Sequence, residues 1–335
     1  MRGFVSAILA EAQRQAGRFE VVPETVYFGG GTPSLLSRTH LATLLEGLHR
    51  VFDLSSVSEW TVEANPGTIT QAKATLMCEH GVNRISLGVQ SWNRRLLKVL
   101  GRDHTPEQAR KTYSLLRDAG FDNVGIDLMF SLPTQTSADW RDCLERTLEL
   151  EPDHISAYNL TYEEDTEFLA RFESGELRQC EDANAGMFHQ ALGRLEEAGF
   201  RHYETSNYAR PGFESAHNQA YWAGDDYLGL GPSAVTTVGH RRWKIVPDTR
   251  EYTRLALAGE DLAAEEETLT PEDQRCERIA LGLRTDTGIA HDLVGGEAEA
   301  LGRLMNENLV EQRAGRIVLT RAGKPLVDEI AALLV

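Results

Sequence analysis

The stretch TVYFGGGTP, residues 25–33, runs from a short apolar segment into three consecutive glycines. Its first four residues predict a β-strand. The glycines at the exit of this strand lack Cβ atoms, so the backbone N–H groups there can come close to a ligand. The stretch has neither the Gly-Lys-Ser/Thr of a Walker A loop nor the spacing of a dinucleotide-binding G-x-G-x-x-G motif. It is compatible with a ligand-binding loop or with a tight turn between a strand and a helix.

Outward from this stretch, strands and helices alternate along the first two thirds of the chain. Apolar residues at helical spacing predict a helix over 38–52 with Ser37 as its N-cap, and Thr105 begins a capping box. Strands that are each followed by a helix predict a parallel sheet with helices outside it. The predicted strands are 25–28, 59–63, 84–89, 123–130, 154–159 and 201–207, and the further helices lie near 70–80, 92–100, 105–120, 137–150 and 184–198.

The ends of these strands distinguish a barrel from an open sheet. Polar groups follow all six predicted strands, whereas an open sheet would concentrate them at one switch point. We therefore predict an α/β fold with a partial TIM-type (β/α)6 barrel. The chain opens on an amphipathic helix with no strand before it, so either the first strand is missing or this helix is an addition to the barrel. The groups at the predicted rim are Gly29–Thr32, Glu63–Asn65, Gln90, Asp127, Asn159 and Ser206–Asn207.

The last third of the chain has a different pattern. Residues 208–250 are rich in Gly, Tyr and Trp and predict loops, and the acidic stretch 260–267 predicts a linker. A helix from Thr270 to about Leu283, a second helix, a hairpin and a final helix capped by Thr320 predict a C-terminal winged-helix-like module. The predicted domains are a barrel core over 1–212, a connecting region over 213–260 and this module over 261–335.

Composition and charge exclude several classes of protein. The 335 residues are 41% apolar and 25% charged, which is typical of globular proteins. The net charge of −17 repels phosphate backbones and argues against a nucleic-acid partner. The first residues show no signal-peptide pattern, and no apolar run reaches the ~20 residues of a membrane span, so we expect a cytoplasmic protein. The four cysteines, Cys78, Cys143, Cys180 and Cys276, lack the spacing of a metal site.

Individual rim residues leave alternatives open. Glu63 and Asp127 could each bind a ribose hydroxyl pair or an ammonium group, or could form a helix cap or a salt bridge at the barrel lip. Gln90 and Arg102 carry no signal of their own. His217 lies among aromatic residues in a predicted loop, where its imidazole could coordinate a metal or contact a haem edge, or could pack beneath the loop.

Taken in order along the whole chain, five stretches resemble one family, the HemW-type proteins. These are radical S-adenosylmethionine haem chaperones related to oxygen-independent coproporphyrinogen III oxidase. The resemblance implies a radical SAM barrel followed by a C-terminal module like that of the oxidase. The matching stretches are YFGGGTPS at 27–34, EANPG at 63–67, RISLGVQS at 84–91, DLMFSLP at 127–133 and HNxxYW at 217–222.

The resemblance also implies two sets of binding residues. S-adenosylmethionine would be bound by Gly30, Gly31, Thr32, Glu63, Gln90, Arg102 and Asp127. Their chemistry agrees, because backbone N–H groups and a guanidinium suit a carboxylate, and carboxylates suit ribose hydroxyls and an ammonium group. Haem would be bound by the HNxxYW stretch, which supplies His217, Asn218, Tyr221 and Trp222.

One departure from the family concerns its [4Fe–4S] cluster. In the family the first strand ends in a Cys-x-x-x-Cys-x-x-Cys loop whose thiolates bind the cluster, and no cysteine precedes Cys78 here. As written, the sequence lacks the thiolate ligands that retain such a cluster, so the resemblance does not carry radical enzyme activity to it. The expected explanations are a late start codon, a truncation or a genuine loss of the cluster.

The function implied by the resemblance is that of a haem chaperone. Such a protein binds haem and S-adenosylmethionine and delivers haem to acceptor proteins, with peripheral membrane contact only through those acceptors. Two alternatives differ in class. One is an oxygen-independent coproporphyrinogen III oxidase, which decarboxylates its substrate by radical chemistry in porphyrin biosynthesis. The other is a cluster-free scaffold or regulatory winged-helix protein.

Overall fold

A curled sheet of seven strands is the largest element of the computed structural model, which describes residues 2–161, 174 and 181–335. Its strand order is β1-β2-β3-β4-β5-β7-β6. The first five strands are parallel, as the alternation of strands and helices predicts. The strands are β1 (Thr25–Phe28), β2 (Glu59–Ala64), β3 (Arg84–Gln90), β4 (Asn123–Phe130), β5 (His154–Asn159), β6 (Arg201–Glu204) and β7 (Asn207–Ala209).

Helices connect the parallel strands and begin where the capping residues predict. The Ser37 side chain accepts a hydrogen bond from the His40 N–H, and Thr105 forms a complete capping box with Gln108. A 3-10 turn at Pro33–Leu35 follows the three glycines. The helices of this region are α1 (Arg2–Arg18), α2 (Arg38–Val51), α3 (Gln71–Glu79), α4 (Arg94–Val99), α5 (Pro106–Asp118), α6 (Ser137–Leu148) and α7 (Glu181–Glu197).

The prediction of the sixth strand was wrong in detail. Residues 201–207 do not form one parallel strand, because the chain reverses at Thr205 and Ser206 into a hairpin. The Ser206 N–H donates to the Glu204 carboxylate across this turn. Strand β7 then pairs antiparallel with β5, so the curled sheet ends in a hairpin and forms half of a barrel.

The two faces of the sheet differ in polarity. Alternate residues of the parallel strands, such as Val62, Leu87, Ile126 and Ile155, are buried in one apolar cluster with the surrounding helices. The intervening residues lie on the concave face, and most of them are polar. A barrel interior is usually filled by bulky apolar side chains. The polar concave face therefore leaves room for a ligand site.

The region after the sheet is more ordered than the sequence predicts. The predicted loops over 208–250 contain α8 (Ala216–Ala223), β8 (Val235–Val238), β9 (Arg241–Ile245) and the start of α9 (Thr249–Ala258). The predicted acidic linker is also wrong, because its residues form β10 (Ala263–Thr268), which pairs with β9.

Charge explains why an acidic stretch forms this strand. Glutamates of β10 form ion pairs with basic residues of β9: Arg241 pairs with Glu266 at 2.5 Å and Arg242 with Glu267 at 3.4 Å. Opposite charges on neighbouring strands stabilise their pairing. The local sequence of this stretch shows only the run of like charges and not the basic residues that pair with them.

A separate apolar cluster organises the C-terminal residues. A three-stranded sheet of order β11-β13-β12 packs with three helices, in the predicted sequence of helix, helix, hairpin and helix. Thr320 does not cap the final helix as predicted, because its hydroxyl donates to Asn308 and Leu309 carbonyls and a 3-10 turn intervenes. The elements are α10 (Pro271–Gly282), β11 (Ile289–Ala290), α11 (Ala298–Asn306), β12 (Val310–Arg313), β13 (Arg316–Leu319) and α12 (Val327–Ala332), with 3-10 turns at His291–Val294 and Lys324–Leu326.

A buried carboxylate joins helix α1 to the region after the sheet. Glu11 is fully buried, and its Oε2 accepts hydrogen bonds from the Tyr252 hydroxyl at 2.6 Å and from the Gly231 N–H at 2.9 Å. Burial raises the pKa of Glu11, and the two hydrogen bonds oppose that shift. The hydrogen bonds of Glu11 fix α1 against α9, through Tyr252, and against the loop that contains Gly231.

We expect Tyr252→Phe to lower the free energy of unfolding by about 1–3 kcal/mol, because a buried carboxylate loses one of its two donors. Chemical denaturation with circular dichroism measures the change. Leu257→Ala, at a 53% exposed position of the same helix, is the control and should change stability by less than about 0.5 kcal/mol. Equal stabilities of the Tyr252 variant and the wild type would contradict this role for the pair.

Candidate functional site

The predicted rim residues come together at the carboxyl ends of β1 to β4. Glu63 is the penultimate residue of β2 and accepts hydrogen bonds from the Tyr27 hydroxyl at 2.6 Å and from the Gly30 N–H. Burial raises the pKa of Glu63, and the hydrogen bonds oppose this effect. The carboxylate thus stands in a partly desolvated position from which it can bind a cation or a hydroxyl.

The glycine loop leaves open space above this carboxylate. Gly30 and Gly31 have φ values of +73° and +76°, which side-chain-bearing residues rarely adopt, and a Cβ at either would meet nothing within 4 Å. A Cβ at Gly29, by contrast, would lie 2.5 Å from the Tyr27 ring and 2.9 Å from Glu63 Oε1. The loop is therefore packed tightly on its sheet side and open on the other.

A chain of hydrogen bonds links the remaining rim residues. The Asn65 amide donates to Thr32 Oγ1 at 3.2 Å and accepts from Arg102 Nη1 at 3.3 Å. Gln90 is buried at a φ of +63°, and its amide lies beside Asn65 above Gly88. This arrangement brings a guanidinium, two amides and a hydroxyl to the same edge as the glycine loop.

Asp127 lies one strand further along the concave face. Its carboxylate accepts hydrogen bonds from Ser86 at 2.8 and 2.9 Å and from Ser156. Burial raises the pKa of Asp127, and the positive charges of Arg84 and Arg102 oppose that shift. The structure therefore brings all seven predicted S-adenosylmethionine residues to one edge, and their donors and acceptors fit its carboxylate, ammonium and ribose groups.

Helix α8 packs across the concave face and carries His217 in its first turn, where the sequence predicted a loop. Its N-terminus is held by Glu59, the first residue of β2, whose side chain is buried. The Glu59 carboxylate accepts hydrogen bonds from Ser215 Oγ at 3.0 Å, the Ala216 N–H at 2.8 Å and the His217 N–H at 3.3 Å. A carboxylate at a helix N-terminus satisfies the free N–H groups and complements the helix dipole.

The His217 imidazole is held on two sides. Its Nδ1 lies 2.9 Å from Thr25 Oγ1, and its ring stacks on Tyr27 with centroids 4.8 Å apart and planes at 17°. Burial lowers the pKa of His217; the Glu59 charge opposes this shift and the Arg84 charge adds to it. The imidazole is therefore neutral at physiological pH, which is the form that binds a metal.

His217 and its motif neighbours line one cavity of about 250 Å³. The cavity lies between α8, the parallel strands and the β6–β7 hairpin. Two aromatic residues of the motif lie at its mouth, where Tyr221 is 46% exposed and stands against Trp222 with centroids 5.6 Å apart. The lining residues are Tyr27, Tyr158, Glu204, Ser206, Asn207, His217, Asn218, Tyr221 and Trp222.

Glu204 is the acidic group of this cavity. Its side chain is buried, and burial raises its pKa to about 7, although hydrogen bonds from the Ser206 N–H and the Asn207 amide lower it. A carboxyl group with such a pKa can exchange a proton near neutral pH.

Sequence reasoning missed several residues of the site. Tyr27, Glu59 and Glu204 do not stand at strand ends that precede helices, and Tyr158 lies within β5. The positions of Tyr27, Glu59 and Tyr158 on the concave face follow from strand alternation, which could have indicated them once the buried face was known. Glu204 lies at an irregularity of the β6–β7 pairing, which alternation does not predict.

The described cysteines do not form a cluster site. Cys78 lies in α3, Cys143 in α6 and Cys276 in α10, while Cys180 lies outside the described residues. Burial raises the pKa of Cys143 to about 12, so this thiol is not a thiolate ligand. Within the described residues, no group of three or more metal-binding side chains could hold a metal ion, so the cysteines there do not fit a [4Fe–4S] cluster. In the same ranges, no helix combines the length and the apolar character of a membrane span.

Comparisons of the sequence and of the fold with known proteins agree with one another. Residues 4–147 match the model of the radical SAM superfamily. The chain is 36% identical to the haem chaperone HemW of Lactococcus lactis over 98% of this chain and 88% of the relative, and 33% identical to HemW of Bacillus subtilis over 92% and 84%. Its fold is similar to that of coproporphyrinogen III oxidase from Escherichia coli, with a TM-score of 0.85, 22% identity and coverage of 99% and 82%.

We expect Glu59→Gln to lower the free energy of unfolding by about 1–3 kcal/mol, because an amide cannot accept all the hydrogen bonds that the carboxylate accepts at α8. Denaturant unfolding measures this loss. Glu46→Gln, on the exposed surface of α2, should change stability by less than about 0.5 kcal/mol. A Glu59 variant as stable as this control would show that the carboxylate does not anchor α8.

The raised pKa of Glu204 predicts a pH dependence of stability. Between pH 4.5, its ordinary value, and about pH 7, the folded protein retains a proton that the unfolded chain has released. Stability therefore falls as the pH rises through this window, by up to about 3 kcal/mol.

We expect Glu204→Gln to remove this part of the pH dependence. The stability of the variant relative to the wild type should therefore increase as the pH rises from 5 to 8. Unfolding curves at four pH values within this range measure the difference. Parallel pH profiles of variant and wild type would contradict the raised pKa.

Proposed function

The chain belongs to the HemW family of radical SAM proteins, and on this basis we propose that it is a haem chaperone that binds haem at His217 and delivers it to acceptor proteins. The observation that carries the proposal is the neutral, oriented imidazole of His217 at a cavity that the other HNxxYW side chains also line. Imidazole is a common axial ligand of haem iron.

Thr25 can accept the hydrogen bond of the tautomer that ligation requires. When Nδ1–H of His217 donates to Thr25 Oγ1, the Nε2 atom keeps a free lone pair. Ligating histidines usually donate their other N–H in this way, which orients the ring and raises its basicity. The stacked Tyr27 ring holds the imidazole plane in the same orientation.

The size of the cavity suits a cargo that is held only in part. Pockets that enclose cofactor-sized ligands have about 300–1,000 Å³, whereas this cavity has about 250 Å³. His217 would bind the iron, and Tyr221 and Trp222 would offer flat apolar surface to the macrocycle. A cargo that stays accessible to solvent is also accessible to an acceptor protein.

The rim residues would hold S-adenosylmethionine. Glu63 and Asp127 would accept hydrogen bonds from its ammonium and ribose groups, Arg102 would bind its carboxylate, and Gly30, Gly31, Thr32 and Gln90 would supply the remaining contacts. When bound, S-adenosylmethionine supplies an activated sulfonium centre. Because the site consists of polar groups that are already linked by hydrogen bonds, little rearrangement is needed to bind it.

We expect the purified chain to bind haem with a Soret band, and His217→Ala to shift or abolish this band while circular dichroism stays native. Thr25→Val should weaken haem binding about 10–100-fold, whereas Thr25→Ser, which keeps the hydroxyl, should restore it. Spectroscopic titration measures each affinity. His240→Ala is the matched control, since His240 is exposed on the turn between β8 and β9.

Two results would contradict the proposal. One is the absence of haem uptake by the wild-type chain, and the other is a His217→Ala spectrum identical to that of the control. Decarboxylation of added coproporphyrinogen by the same preparation would favour the oxidase alternative, for which the structural similarity at 22% identity supports only the fold.

A further inference from the structure

Tyr27 lies between the two candidate binding sites and touches a key residue of each. Its hydroxyl donates to Glu63 Oε1 at 2.6 Å, and its ring stacks on the His217 imidazole. One side chain thus connects the carboxylate at the rim with the imidazole at the cavity.

The Tyr27 ring cannot move independently of its surroundings. The backbone of Gly29 approaches it so closely that a Cβ would lie 2.5 Å from the ring, and His217 covers its face. Burial and the neighbouring Glu63 carboxylate raise the pKa of the Tyr27 hydroxyl, so it remains a proton donor throughout the physiological range. The Tyr27 hydroxyl can therefore donate its hydrogen bond to Glu63 at every physiological pH.

A ligand bound to Glu63 would alter this hydrogen bond. Glu63 Oε1 already accepts from Tyr27, and an ammonium group or a ribose hydroxyl bound to the same carboxylate would withdraw charge from it and so weaken its hydrogen bond with Tyr27. The Tyr27 ring packs directly on His217, so it would transmit a change in this hydrogen bond to the imidazole. The contacts form an unbroken path of three side chains.

We propose that Tyr27 is a positioning residue that couples the state of Glu63 at the rim to haem affinity at His217. The inference rests on the proposed function and deepens it, since it makes haem binding responsive to the ligand at the rim. By linkage, haem at His217 would change the affinity of the rim for its ligand by the same factor.

A double-mutant cycle on the full chain tests the coupling. Haem affinity is measured by Soret titration for the wild type, Glu63→Gln, Tyr27→Phe and the double variant. Tyr27→Phe keeps the stacked ring and removes only the hydroxyl. We expect Glu63→Gln to change the haem affinity by about fivefold or more in the wild-type background, the lower end of typical couplings, and by less than about twofold in the Tyr27→Phe background.

The chain offers a matched control in Tyr252, whose hydroxyl donates to the buried Glu11 at the same distance of 2.6 Å. In the Tyr252→Phe background, Glu63→Gln should keep its full effect on haem affinity. An equal effect of Glu63→Gln in the Tyr27→Phe background, or no effect in the wild type, would overturn the inference while leaving haem binding at His217 intact.

A second measurement does not depend on haem. The His217 imidazole resonances, assigned by comparison with His217→Ala, should shift in Glu63→Gln and on addition of S-adenosylmethionine, and neither shift should occur in the Tyr27→Phe background. Unchanged resonances in the wild-type background would overturn the coupling even if the chain bound no haem. Failure of the proposed function itself would appear separately, as a lack of haem uptake.

Discussion

The buried carboxylate of Glu59 is the contact on which the site depends. It lies at the first position of β2 and accepts hydrogen bonds from Thr61, Ser215, Ala216 and His217. These contacts place the first turn of α8 against the concave face, where the imidazole meets Tyr27. The charge that stabilises the helix N-terminus thus also determines where the candidate haem ligand stands.

Strand β2 places two carboxylates at opposite ends of the same concave face. Residues four apart in a strand point to the same side, so Glu59 and Glu63 both face inward. Glu59 accepts hydrogen bonds from the N-terminus of α8, and Glu63 accepts hydrogen bonds at the rim. Because this face is polar, the sheet has no apolar interior there, and hydrogen bonds such as those of Ser86 to Asp127 satisfy part of its buried groups. The apolar stabilisation comes instead from the opposite face and its helices.

The residues that could be predicted from the sequence are those with a local signal. Glu63 and Asp127 lie in the second halves of strands with apolar neighbours, and the carboxyl ends of parallel strands meet at one edge whatever the details of the fold. Glu59 gave no such signal, because its role depends on Ala216, which is 157 positions away. The same reason explains the acidic strand β10, whose glutamates are matched by arginines of another segment. Local patterns predicted the parallel half-barrel well and the contacts between distant segments poorly.

Helix α8 contributes no buried side chain to any apolar cluster, although Ser215 just before it is buried. A two-turn helix held by polar contacts opens locally at a lower free energy than the sheet beneath it. Amide hydrogen exchange would therefore be faster in α8 than in the central strands β3 and β4. Such opening would enlarge the cavity, so a ligand of more than about 250 Å³ could enter and leave it without unfolding of the half-barrel.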